Sequence, residues 1–103
     1  MSIMDEVRRQ ELNDIKQQMD TERGRKFMWR LLEISKVFTP TFAPDPLIMS
    51  FNEGTRNLGL KLFADIMEVA PKKYMVMTLE AKERSESLKA ILEKEQKEIN
   101  DEY

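Results

Sequence analysis

The side chains that could do chemistry in this sequence are carboxylates and cations. Neither cysteine nor histidine occurs among its 103 residues. Ser-His and Cys-His catalysis, thiolate nucleophiles, disulfides and cysteine zinc sites are therefore excluded. Any metal would have only oxygen ligands. Glu53, Asp65 and Glu68 share one helical stretch, where they could serve acid-base work or form a solvated face. Glu53 and Arg56, spaced i,i+3, are placed to pair across one turn. Oxygen-only metal binding needs several carboxylates converging from a loop or from facing helices. The sequence has neither EF-hand spacing nor a paired Glu-x-x-His motif. The expectation is a protein that is not an enzyme and uses no metal or cofactor.

A second group is TERGRKFMWR, residues 21 to 30, which interleaves Arg23, Arg25, Lys26 and Arg30 with Phe27 and Trp29. Cations beside aromatics suit a surface that holds phosphates and stacks bases. The same spacing also lets the aromatics enter a core while the cations face water. Arg30 has a further option, a buried pair with a carboxylate such as Glu53 from a neighbouring helix, which would fix helix register. Net charge is −2, so no global basic field attracts nucleic acid and such a role would be local to these four cations.

These residues need elements to position them. One domain is the expectation at this length. The composition, 41% hydrophobic and 35% charged with few glycines and prolines, suits an all-α protein. From Ser2 to about Asp20, Met4, Leu12, Ile15 and Met19 recur at helical spacing with Val7 beside them, a thin apolar stripe on a polar helix. Thr21 offers an N-cap for a second helix reaching to about Phe38, apolar over more than half its circumference and so the most buried. TPTFAPDP, residues 39 to 46, holds three of the four prolines and must be a loop. It ends in Asp45 and Pro46, an N-cap and a first helical residue.

The third helix then places Leu47, Phe51, Leu58, Leu62, Ile66 and Val69 in one arc, with Glu53, Asn57, Lys61 and Glu68 opposite. Gly59 falls toward one flank of that arc and Gly54 toward the other. A glycine inside a helix costs roughly 1 kcal/mol relative to alanine, so Gly59 implies close approach by a neighbour. Ala70-Pro71 starts a fourth helix, which becomes strongly charged after Leu79, with opposite charges four apart as in Glu80 with Arg84. The expected architecture is a bundle of about four helices: a central antiparallel pair, the second and third, with long polar terminal helices. The expected segments are an N-terminal amphipathic helix (1–20), a helical core (21–79) and a charged helical extension (80–103).

Such a pattern points to protein contacts. Eight methionines fill a core or supply an adaptable surface, and Met75 and Met77 are the candidates for the surface. Leu88, Ile91 and Ile99 form a stripe too thin to hold firmly in a monomer, so an assembly contact is expected. No segment approaches the roughly 18 apolar residues of a membrane span, and MSIMDEVRRQ reads as neither signal nor transit peptide. A cytosol, or an assembly built there, is the expected location.

Three stretches taken together, GRKFMWRLLEISKVF, the loop residues Phe42 and Asp45-Pro46, and FNEGTRNLGLKLF, with Tyr74 soon after, resemble a family of small helical phage proteins. Its genes lie in the virion structural module of short-tailed phages of the Bordetella-phage type. The resemblance spans about residues 22 to 78. Its most specific part is Phe-x-Glu-Gly-x-Arg-x-x-Gly, here Phe51, Glu53, Gly54, Arg56 and Gly59, with Thr55 where relatives often carry a second arginine. The resemblance implies a virion or assembly protein whose partners are the portal, capsid or ejection proteins, or other copies of itself. Glu53, Gly54 and Arg56 are the first candidates for that contact. Nucleic-acid binding through Arg23, Arg25, Lys26 and Arg30 is the alternative.

Overall fold

Each helix begins where a side chain or a proline can satisfy its first turn. A computed structural model describes residues 2–102; Met1 and Tyr103, the outer ends of the expected terminal segments, lie outside the described residues. Helix α1 (Ile3–Met19) opens with a capping box: the Ser2 hydroxyl accepts from the Asp5 amide, and the Asp5 carboxylate accepts from the Ser2 amide. Helix α2 (Glu22–Ile34) is capped by Thr21, whose Oγ1 accepts from the Gly24 amide at 3.0 Å. Helix α3 (Pro46–Val69) starts with Asp45 accepting from the Leu47 amide at 2.8 Å, and α4 (Pro71–Asp101) starts on its proline. The starts read from Thr21, Asp45-Pro46 and Ala70-Pro71 are all present.

The end of α2 differs from expectation. It stops at Ile34, four residues before Phe38, because Lys36 takes a left-handed conformation with φ 62°. The Lys36 amide donates to Glu33 O and the Val37 amide to Leu32 O, a Schellman ending made with lysine where glycine is usual. The turn drives Val37 into the core beside Leu32. The Lys36 Nζ donates to Asn52 Oδ1 of α3 at 2.6 Å, which ties the turn to the next helix.

All four helices are needed to make the core. Met19 of α1, Leu32 of α2, Ile66 of α3 and Met77 of α4 are fully buried, with Met28, Val37 and Ala70 around them. Full burial of one such side chain stabilises by about 1.5 to 3 kcal/mol. The second helix is the most buried, as expected, but its partnership with α3 is not the principal one. Helix α1 packs mainly on α3 and α2, and α4 packs mainly on α2. Arg8 of α1 also reaches Asp65 and Glu68 of α3.

The result is a thin layer, with Cα extents of 70 × 39 × 15 Å and a radius of gyration of 18.5 Å, against about 13 Å for a compact domain of this length. A layer one helix thick leaves much apolar surface uncovered. The outer part of α4, from Ser85 to Glu102, is exposed at every position.

Candidate interaction site

Two open regions hold most of the residues singled out in the sequence. On α3, the C-terminal members of the apolar arc, Leu62, Ile66 and Val69, pack on the core as expected, whereas its N-terminal members do not. Gly59 faces inward, while Leu47, Phe51 and Leu58 are 81%, 72% and 70% exposed. The cause lies in what meets Gly59: a Cβ there would come within 2.5 Å of Val37 Cγ2 and would overlap the Ser35 side chain. The Schellman turn thus seats directly on the glycine, and the buried face of α3 is set by that contact. Leu47, Phe51, Gly54 and Leu58, at four-three-four spacing, form a stripe along the open side. A Cβ at Gly54 would meet nothing within 4 Å.

Beside this stripe, Glu53, Gly54 and Arg56 come together at a shallow depression of about 530 Å³, with Ser50, Asn57 and Leu60 of α3 and Thr41 of the proline loop. The expected pairing of Glu53 with Arg56 is not among the ion pairs of the described residues. Arg56 instead turns its Nε toward the Val37 carbonyl at 3.5 Å. It braces the turn, and Glu53 and Gly54 are left as the freely presented members of the trio.

The second region lies between α2 and α4. Arg23, Lys26 and Arg30, with Arg84 of α4, line an open groove of about 600 Å³. Phe27, Trp29 and Leu88 supply its apolar part and Glu33 its carboxylate. Phe27 is 55% exposed, whereas Trp29 is half-buried and stacks on Phe38 at a centroid distance of 4.9 Å. The groove face was readable in Arg23, Lys26, Phe27 and Arg30, which recur at steps of three and four. Arg84, spaced i,i+4 from Glu80 as for a pair, lines the groove instead, because the Glu80 carboxylate is taken by Arg25.

Arg25 does not belong with these cations. It is buried, and its Nε and Nη2 donate to the two carboxylate oxygens of Glu80 at 2.7 and 3.2 Å while Nη1 donates to the Met19 carbonyl at 2.9 Å. Its spacing from Met28 and Leu32 is that of a core position. The bidentate bond holds the Glu80 carboxyl below its ordinary range and raises the Arg25 guanidinium above its own. The buried pair considered for Arg30 with Glu53 therefore exists between Arg25 and Glu80, and Arg25 is corrected from a nucleic-acid contact to a clamp joining α1, α2 and α4.

Met77 is the other correction. It is fully buried, in line with Tyr74 and Ala81, so it fills the core and is not a surface contact. Met75, two residues earlier on the far side of the helix, is 60% exposed, and Leu88, Ile91 and Ile99 are each more than half exposed. None of the described helices is long and apolar enough to cross a membrane.

Comparison with protein families matches residues 15–78 to a family described as Bbp19-like phage protein. The matched span holds the core residues Met19, Leu32, Ile66 and Met77, the three glycines and the α3 stripe, and ends before the outer part of α4. No curated protein and no solved structure matches the chain.

Proposed function

From the premise that the chain belongs to the family of Bbp19-like phage proteins, we propose that it is a non-enzymatic component of a phage particle or of its assembly. It acts by docking its open helix faces on other phage structural proteins, with the portal, capsid and ejected proteins as the candidates, or on other copies of itself. The observation that carries this reading is the stripe of Leu47, Phe51 and Leu58. These are large apolar side chains facing solvent on a well-formed helix, inside the span that matches the family. Contiguous apolar surface of this kind marks interaction sites. Gly54 in the middle of the stripe lets a partner helix approach the backbone closely, and Glu53 beside it offers a charge to fix orientation.

Nucleic-acid binding is the weaker reading, because Arg25 is committed to Glu80 and Met19, which leaves Arg23, Lys26 and Arg30 from the original set. The location that follows from the proposal is the virion or the host cytoplasm. Mass spectrometry of purified particles, intact and after DNA release, tests it: the protein is expected at a fixed copy number. Detection in infected-cell extracts and never in particles would remove the virion role and leave that of an assembly factor. Phe51→Lys with Leu58→Lys is expected to keep the fold and abolish incorporation. Normal incorporation of that variant would overturn the α3 docking face.

A further inference from the structure

The groove between α2 and α4 is a receptor whose ligand can be read from its charge. Four cations converge on it, Arg23, Lys26, Arg30 and Arg84, against the single carboxylate of Glu33. Among the described residues none of these cations forms an ion pair. Along α4 the groove does not close. It continues through Ser85 and Leu88 into a second depression of about 400 Å³ lined by Lys89, Leu92, Glu93 and Gln96. The recognition surface is thus one long track, basic and aromatic at its inner end and apolar along the outer half of α4.

The complementary object is present on the same chain. Residues 93 to 102, EKEQKEINDE, carry five carboxylates and two lysines, and hold Ile99 among them. This net charge of −3, from five minus two, opposes the +3 of the groove lining, from four minus one. The segment cannot reach its own groove, since α4 is one continuous helix from Pro71 to Asp101. At 1.5 Å per residue its tip stands about 27 Å beyond Arg84. It can fill the groove of another copy.

We propose that two copies of this chain pair antiparallel through α4, each inserting its acidic tip into the basic-aromatic groove of the other. This deepens the reading of the protein as one that works by helix contacts, and it names a partner for this face. A pairing centred between Ile91 and Leu92 sets Ile99 of each copy over Arg84 and Ser85, beside Phe27. Glu98 then faces Ser85 and the cations near it. Asp101 and Glu102 come to the end of the groove next to Glu80, where Arg25 anchors α2. Leu88, Ile91 and Leu92 meet across the centre. A parallel pairing would instead bring two acidic tips together. The antiparallel contact is isologous, so both grooves are filled at once and assembly closes at two copies through this face. It also supplies the packing that a polar helix of this length lacks alone.

Sedimentation velocity of the full chain over a range of concentrations and salt tests the pairing. A dimer is expected, weakening as salt rises. Arg23→Glu with Arg30→Glu, all solvent-facing changes, should weaken it about tenfold or more, and so should Glu98→Lys with Asp101→Lys. Mixing the two variants should recover a heterodimer. Because the chain has no cysteine, Ser85→Cys mixed with Glu98→Cys should give an intermolecular disulfide under oxidation. A monomer at every concentration, or a dimer indifferent to both reversals, would overturn the proposal. So would loss without recovery on mixing, or a groove reversal that abolishes binding of a short DNA duplex and leaves association unchanged. A monomer still incorporated into particles would sink the pairing alone, whereas a dimer absent from particles would sink the virion role alone.

Discussion

The two halves of α3 carry the same kind of residue and meet opposite fates. In the second half, Gly59, Leu62, Phe63 and Ile66 are buried or half-buried against the other helices, whereas Leu47 and Phe51 in the first half, and Leu58 at the midpoint, lie open to solvent. Hydrophobicity does not separate them, since Phe51 on the open side and Phe63 against the core are the same residue type. The difference is contact with a second element. The turn at Ser35–Val37 presses on Gly59 and orients the helix, and no other part of the described chain covers the stripe that this orientation leaves outside. An apolar stripe on a helix therefore states that the helix has a partner, and leaves open whether the partner is in the same chain.

The sharpest way to break this contrast is to truncate one large side chain in each half. Ile66→Ala removes a fully buried side chain from the centre of the bundle and should cost about 2 to 5 kcal/mol. Phe51→Ala removes more atoms from a side chain that is mostly exposed, and thermal unfolding of the isolated protein should place it within about 0.5 kcal/mol of the parent. Equal losses would mean that the first half of α3 is packed in solution.

The clamp at Arg25 extends the comparison to the charges. Both partners are largely shielded, with side-chain exposures of 11% for Arg25 and 18% for Glu80. Glu80→Ala leaves a shielded guanidinium with only the Met19 carbonyl and should cost roughly 2 to 4 kcal/mol. Replacing both partners, Arg25→Met with Glu80→Leu, should return most of that loss. The pH dependence follows from the lowered pKa of Glu80. The unfolded chain binds its proton first, so the contribution is complete above the ordinary carboxylate range and is lost as pH falls through the lower folded value. Melting temperatures followed from about pH 6 down to pH 2 should fall less steeply for Glu80→Gln than for the parent. Glu6, held down to about 2 by its bond to Arg9, should contribute little to this limb, because that i,i+3 pair is exposed and local to α1.

How much of this was legible varies with the physics behind each feature. Helix starts were legible because Thr21, Asp45 with Pro46, and Pro71 act through local chemistry. The end of α2 was not, since nothing in Ser35-Lys36-Val37 announces a left-handed lysine. Arg25 was legible in principle, as it keeps step with Met28 and Leu32, but its cluster of neighbouring cations masked that. The stripe on α3 was read as core because an exposed docking face and a buried face have the same periodicity. Met75 and Met77 show the same limit at single-residue scale: one faces water and the other the core, and only their phase against Tyr74 and Ala81 distinguishes them. The groove required Arg84 to be free, which depended on Glu80 being taken by Arg25 from another helix.

The two glycines of α3 give the finest test, because the same substitution should act with opposite sign. Gly59→Ala places a methyl group where Val37 and Ser35 already sit, and the overpacking should cost about 1 to 3 kcal/mol, net of the gain in helix propensity. Gly54→Ala places the same group in open space. Only the propensity term remains there, and it should stabilise the isolated protein by about 0.5 to 1 kcal/mol. If a partner helix approaches α3 at Gly54, this more stable variant should nonetheless enter particles less well than the parent, and Gly54→Leu less well still. A rise in melting temperature together with a fall in incorporation would separate the glycine kept for the fold from the glycine kept for the contact. Unchanged incorporation of both Gly54 variants would place the docking contact elsewhere on the stripe.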